Sequence, residues 1–164
     1  ALIGDVTQPI LLITSEGREE ETITRLSRVG FDYTIGYLKG GFEAWKKAAM
    51  EYDTVTSIPA TDFKTILEEK EVPVYDVRKQ GEYASEHIKN AYHTPLSFLN
   101  DYLDSYPSDT NFYVHCAGGY RSMIAISILK SRGIHNSIDI AGGFTAIKET
   151  QIPVTNYVCP TTLK

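Results

Sequence analysis

The stretch Phe112-Tyr113-Val114-His115-Cys116-Ala117-Gly118-Gly119-Tyr120-Arg121-Ser122 sets a cysteine at the end of an apolar run. Two glycines follow within three positions, and an arginine stands five positions after the thiol. This order describes a strand, a tight loop and a helix N-terminus gathered around one sulfur. Glycines let such a loop turn its backbone N–H groups inward, and the helix end adds positive potential. Both favour a thiolate over a thiol. The chemistry expected of Cys116 is therefore nucleophilic, with a covalent intermediate on sulfur. Ala117, Gly118, Gly119, Tyr120, Arg121 and Ser122 are the expected cradle, with Arg121 facing the loop anion rather than solvent. A buried, inert cysteine has no need of the Gly-Gly pair.

Asp76 and Arg78 form a second group of interest. Asp76 closes the apolar run Val72-Pro73-Val74-Tyr75-Asp76, and in parallel sheets reactive groups gather beyond the strands' C-terminal ends. The pair either braces the loop as a structural ion pair or contacts an anionic substrate. His115 precedes the thiol, but its side chain should leave the strand on the opposite face, as a packed or surface residue rather than a base. His87 is expected to anchor a turn, Trp45 to pack in a core, and Cys159 to be a plain tail cysteine rather than a resolving thiol. Tyr92, Phe98 and Tyr102 either line the pocket mouth or simply pack.

These groups need a scaffold, and 164 residues with 42% hydrophobic content suffice for one good core, or one core plus a fragment. No run approaches the length of a membrane span, and no signal segment opens the chain. A net charge of −5 argues against nucleic acid or an anionic membrane as the main partner. Two cysteines make no disulfide framework, and a reducing, cytoplasmic setting suits a working thiol. No metal-binding string and no cofactor motif is evident.

From Val55 onward, strands and helices alternate. Helices are expected at Thr61–Lys70 (capped by Thr61), Lys79–Ala84, Ser97–Ser105, Met123–Ser131 and Phe144–Glu149. Strands are expected at Val72–Val77, Ala91–Thr94, Phe112–His115 and Ser137–Ile140. The fold class is α/β: a mostly parallel sheet between two helical layers. Gly40-Gly41-Phe42-Glu43-Ala44-Trp45-Lys46 recurs as Gly142-Gly143-Phe144-Thr145-Ala146-Ile147-Lys148, an offset of 102 residues. The same offset carries Cys116 to Thr14. Residues 9–49 thus repeat the plan of 111–150, a partial second copy. The expected organisation is a truncated back half at 1–50, a linker at 51–59, a complete domain at 60–153 and a tail at 154–164. The first copy is expected to pack against a partner, either the complete domain or another chain.

Together these strings resemble the rhodanese-homology domain of sulfurtransferases. Asp76-Val77-Arg78 is similar to the family's Asp-x-Arg. Glu82-Tyr83, His87-Ile88, Ala91 and Pro95 follow its next motif, with Glu86 and Lys89-Asn90 departing from it. Cys116 to Arg121 resembles the six-residue sulfur loop, and Gly142-Gly143-Phe144 the closing Gly-Gly-aromatic. The resemblance implies a rhodanese-like three-layer fold and transfer of sulfur from thiosulfate or a persulfide, through a Cys116 persulfide, to a thiophilic acceptor. It implies that the first copy, with Thr14 in place of the thiol, is inactive. A degenerate copy before an active one also resembles the C-terminal part of fusions with a metallo-β-lactamase-type persulfide dioxygenase domain, and that resemblance implies such a domain as an upstream partner. Related phosphatases use a loop one residue longer, which sets phosphatase or arsenate reductase activity behind sulfur transfer. A sulfur-carrier or binding module without turnover is the other reading.

Overall fold

The computed structural model describes Ile3 and residues 5–159, in two compact units that divide between Asp53 and Thr54. Residues 160–164 of the expected tail lie outside the described residues. The first unit runs β1 (Ile10–Leu12), α1 (Glu19–Ser27), β2 (Thr34–Tyr37) and α2 (Gly41–Lys47), with the two strands paired in parallel. Its core is thin. Among its described residues Leu12 and Gly41 are buried, while Leu11 (72% exposed), Val29 (66%), Ile35 and Tyr37 are exposed. Trp45, expected in a core, is half-buried and donates its indole N–H to the Glu51 carbonyl at 2.9 Å. The unit offers too little apolar volume to enclose a ring of that size.

The second unit is built on five parallel strands in the order β3-β7-β6-β4-β5. They are β3 (Ser57–Pro59), β4 (Val74–Asp76), β5 (Tyr92–His93), β6 (Phe112–His115) and β7 (Ser137–Ala141). Between them run α3 (Ala60–Glu69), α4 (Gln80–Ser85), a 3-10 segment (Leu96–Ser105), α5 (Tyr120–Ser131) and α6 (Gly143–Lys148). Alternation along β6 explains the layers. Tyr113 faces Phe63, Ile140, Phe144 and Ile147, contributed in part by α3 and α6. Phe112, Val114 and Cys116 face Leu99, Ala125, Ile126 and Leu129, from the 3-10 segment and α5. A strand covered on both faces is mostly apolar, and β6 is buried at every position, including its closing His115.

Several boundaries differ from the sequence expectation: α5 starts at Tyr120 rather than Met123, the helix expected over 97–105 is a 3-10 segment, and β4 and β5 are shorter than expected. The segment 51–59 is not all linker: Ser57–Pro59 is an edge strand paired with Asp139–Ala141. Three residues are too few for alternation to register, and an edge strand tolerates proline. Helix α3 starts at Ala60 with Pro59 in the cap position, so Thr61 lies inside the first turn. The tail lacks periodicity but is anchored. Val154 bridges Ile88, Thr155 N–H donates to the His87 carbonyl at 2.8 Å, and Val158 N–H donates to the Ser85 carbonyl at 2.8 Å. Asn90 takes the left-handed conformation, φ 66°. It stands in the turn where the sequence departs from the resembled motif, and asparagine is among the residues that tolerate this region best.

Candidate active site

Cys116 lies at the C-terminal end of β6 and is 1% exposed. The chain then folds back through Gly119, the left-handed N-cap of α5 at φ 102° and ψ −22°. Gly119 N–H donates to Sγ at 3.1 Å. The buried Ser122 hydroxyl lies 3.6 Å from Sγ and 3.0 Å from the Gly119 carbonyl, with one proton for the two acceptors. Burial by itself pushes the thiol up. The Ser122 hydroxyl and the amides of Ser122, Gly119 and Gly118 outweigh it and hold Cys116 below the ordinary thiol value.

The amides point inward because the carbonyls are held from outside. Phe144 N–H donates to the Cys116 carbonyl at 2.7 Å, and Thr145 gives Ala117 both its N–H and its hydroxyl at 3.0 Å. The first turn of α6 thus clamps the outer wall of the loop. Gly143 makes this approach possible. It sits at φ +57°, and a Cβ there would lie 2.5 Å from the Cys116 carbonyl oxygen. In the first unit a Cβ on Gly41, also at φ +57°, would collide with the Thr14 carbonyl.

Arg121 departs from expectation. Its guanidinium makes a two-pronged contact with Glu82, Nη1 to Oε2 at 2.7 Å and Nη2 to Oε1 at 2.8 Å. These bonds hold the Glu82 carboxyl below the usual carboxylate range. A fixed carboxylate within reach outcompetes a sulfur already solvated by amides, because paired guanidinium–carboxylate bonds are charge-assisted and planar. Glu82 also accepts the Lys79 N–H at 3.1 Å within the first turn of α4, so its bonds to Arg121 tie that turn to the start of α5. The sequence contains no local signal for this partnership.

Asp76 and Arg78 form a buried brace. Arg78 Nη2 meets Asp76 Oδ2 at 2.6 Å, its Nε reaches both carboxylate oxygens, and its backbone N–H donates to Oδ1 at 3.0 Å. The guanidinium also donates to the Glu86 carbonyl at 2.7 Å and lies 4.0 Å from the Phe144 ring centroid. His93 Nε2 is 2.9 Å from the Arg78 carbonyl. The brace holds β4, the α4 exit and α6 together through Nε, Nη2 and the face of the guanidinium. His115 is fully buried against Phe144, and burial pushes its imidazole down, so it stays neutral. Its Nδ1 lies 3.2 Å from the Cys116 carbonyl, on the face away from the thiol. His87 stacks on Tyr83 and bonds the Tyr83 carbonyl at 2.7 Å, as a turn anchor. Tyr92 stacks on Tyr75 with its own ring largely exposed, and Phe98 is exposed as well. Cys159 is exposed and forms no disulfide with Cys116.

The arrangement suits a soft nucleophile whose negative charge can stay on sulfur before and after reaction, solvated by fixed N–H groups. The family model for the rhodanese-like domain matches residues 59–150. The chain is 32% identical over 98 residues to the adenylyltransferase and sulfurtransferase uba4 of Ogataea parapolymorpha, across 58% of this chain and 25% of that protein. It therefore spans only a quarter of that relative. It is 26% identical over 99 residues to the thiosulfate sulfurtransferase GlpE of Coxiella burnetii, across 60% of this chain and 90% of that one. A rhodanese-like domain protein from Staphylococcus aureus, solved by crystallography, superposes with a TM-score of 0.57 at 30% identity, across 63% of this chain and all of that one.

Proposed function

Because this chain belongs to the rhodanese-like domain family, we propose that it is a sulfurtransferase that carries sulfane sulfur on Cys116. The observation that carries the reading is the set of neutral donors around the thiol at the N-terminus of α5, with Gly119 N–H on Sγ at 3.1 Å and the Ser122 hydroxyl 3.6 Å away, which favour the thiolate. The thiolate attacks the outer sulfur of a donor, and the donor body leaves with the bonding electron pair. Cys116 then holds a persulfide whose terminal charge takes the place of the thiolate charge within the amide cradle. A thiophilic acceptor such as cyanide, sulfite or a thiol removes the sulfur and restores the thiolate. Such two-step covalent transfer has ping-pong kinetics. Arg121, fixed by Glu82, keeps the first turn of α5 in place.

The test is thiocyanate formation from a sulfane-sulfur donor and cyanide by the purified chain, with intact mass read on Cys116. Turnover abolished by Cys116→Ser, with one sulfur added to the native chain alone, is the expected result. A stable one-sulfur adduct without turnover assigns the protein to sulfur carriage for another domain, the role its match to part of a larger two-activity relative supports. No adduct from any donor would falsify sulfur chemistry at this site.

A further inference from the structure

We propose that His115 is a positioning residue for sulfur transfer: as the neutral tautomer with its proton on Nδ1, it donates to the Cys116 carbonyl and fixes the first peptide of the thiol loop. The inference rests on the sulfur-transfer reading and adds to it a residue that never meets the sulfur.

The acceptor decides the tautomer. Nδ1 lies 3.2 Å from the Cys116 carbonyl oxygen, and a carbonyl can only accept, so the proton belongs on Nδ1. Among the described residues Nε2 has no hydrogen-bond partner. Asp76 and His115 are paired across β4 and β6, which brings Asp76 Oδ2 to 3.8 Å from Nε2, beyond hydrogen-bond reach. That oxygen is already held by Arg78, at 2.6 Å from Nη2 and 2.9 Å from Nε. Full burial keeps the ring neutral, and the Arg78 guanidinium, 4.0 Å from the Phe144 ring on which His115 also stacks, disfavours a second cation there.

Packing alone does not explain an imidazole in this place. A buried nitrogen without a partner costs stability, and leucine would fill the space without that cost. What leucine lacks is the second bond to the Cys116 carbonyl, which Phe144 N–H also holds at 2.7 Å. With this oxygen fixed on the Phe144 side of the sheet, the amides that follow can face Sγ, where Gly119 N–H reaches 3.1 Å. The first unit supplies a contrast. The offset of 102 residues carries His115 to Ile13 and Cys116 to Thr14. Gly41 backs onto the Thr14 carbonyl as Gly143 backs onto that of Cys116, both at φ +57°. The close glycine is thus present with and without a thiol, whereas the imidazole stands only beside the thiol.

Nitrogen NMR of the isotopically labelled imidazole in the native chain reads the tautomer, and it needs no variant to fold. A proton on Nδ1 with Nε2 bare is expected; a proton on Nε2, alone or with one on Nδ1, overturns the proposal. Asparagine and leucine share a shape, and the asparagine amide N–H can stand in for Nδ1–H. His115→Leu should slow sulfur uptake by Cys116 from thiosulfate, followed by intact mass, about three- to tenfold, the worth of one hydrogen bond expressed as a rate. His115→Asn should stay within about twofold of the wild type. Thermal midpoints should run the other way, with leucine at or above asparagine, whose side-chain oxygen is left unpaired. A leucine variant as fast as the wild type, or an asparagine variant no faster than the leucine one, overturns the positioning role while leaving sulfur transfer intact. Absence of any added sulfur on Cys116 of the native chain overturns the sulfur-transfer reading and this inference together.

Discussion

At the scale of single residues, burial makes a thiol a poor nucleophile, since the charged form loses its water. Cys116 escapes this because four nearby donors replace that water, and only one of them is a side chain. Ser122 is that side chain, fully buried, 3.6 Å from Sγ. Ser122→Ala should raise the thiol titration midpoint by about one pH unit, the lower end of what one hydrogen bond to a charged group is worth, because the hydroxyl is shared with the Gly119 carbonyl. The sign follows from the bond favouring the thiolate: without it, more base is needed to ionise Cys116. The pH profile of iodoacetamide alkylation reads this directly, and a midpoint unchanged by the substitution would show that the amides alone set the thiol. The nucleophile and its cradle were legible in sequence because they are contiguous. The Glu82–Arg121 pair was not, since its members stand 39 positions apart and meet only when α4 and α5 close on the same sheet end.

Among elements, the loop is shaped less by its own sequence than by α6. Its amides turn inward because its carbonyls bond to Phe144 and Thr145. The recurrence of Gly-Gly-Phe identified the position but not its partner, for nothing along the chain says that residues 142–145 back onto 116–117. Gly143→Ala tests the clamp. The added methyl must displace the Cys116 carbonyl, and φ +57° disfavours any side chain. The expected cost is about 2–4 kcal/mol of stability, with a loss of sulfur transfer larger than that destabilisation explains at temperatures where the protein stays folded. Gly81→Ala is the contrast, a helical glycine with nothing within 4 Å of its Cβ, where alanine should be neutral or add up to about 1 kcal/mol. Equal thermal midpoints and activities for the two variants would remove the clamp from the account. The central strands were legible because β6 is apolar on both faces. Strand β3 was not, because a three-residue edge carries no period.

The whole molecule joins two units of unequal enclosure. The second packs two apolar layers on a five-stranded sheet and belongs to a family with sulfurtransferase members. The first has the same element order as β6-α5-β7-α6 but two strands, a helix α1 with no buried residue, and exposed Leu11, Ile13, Val29, Ile35 and Tyr37. A two-stranded sheet with so little covered surface has only a small opening free energy, because few apolar contacts are lost when it separates. Hydrogen exchange should therefore be at least about a hundredfold faster at the amides of β1 and β2 than at those of β6 and β7 in the purified chain at low concentration. Heating should show a loss of protection up to Asp53 before the second unit melts, a departure from two-state unfolding. Exchange of β1 and β2 as slow as that of β6 would count against local fragility. It would mean that the exposed apolar face is covered in solution, and a concentration dependence of that protection would identify the cover as a second copy of the chain. In either event the Cys116 loop should keep its protection, since every contact that shapes it comes from residues 76–145.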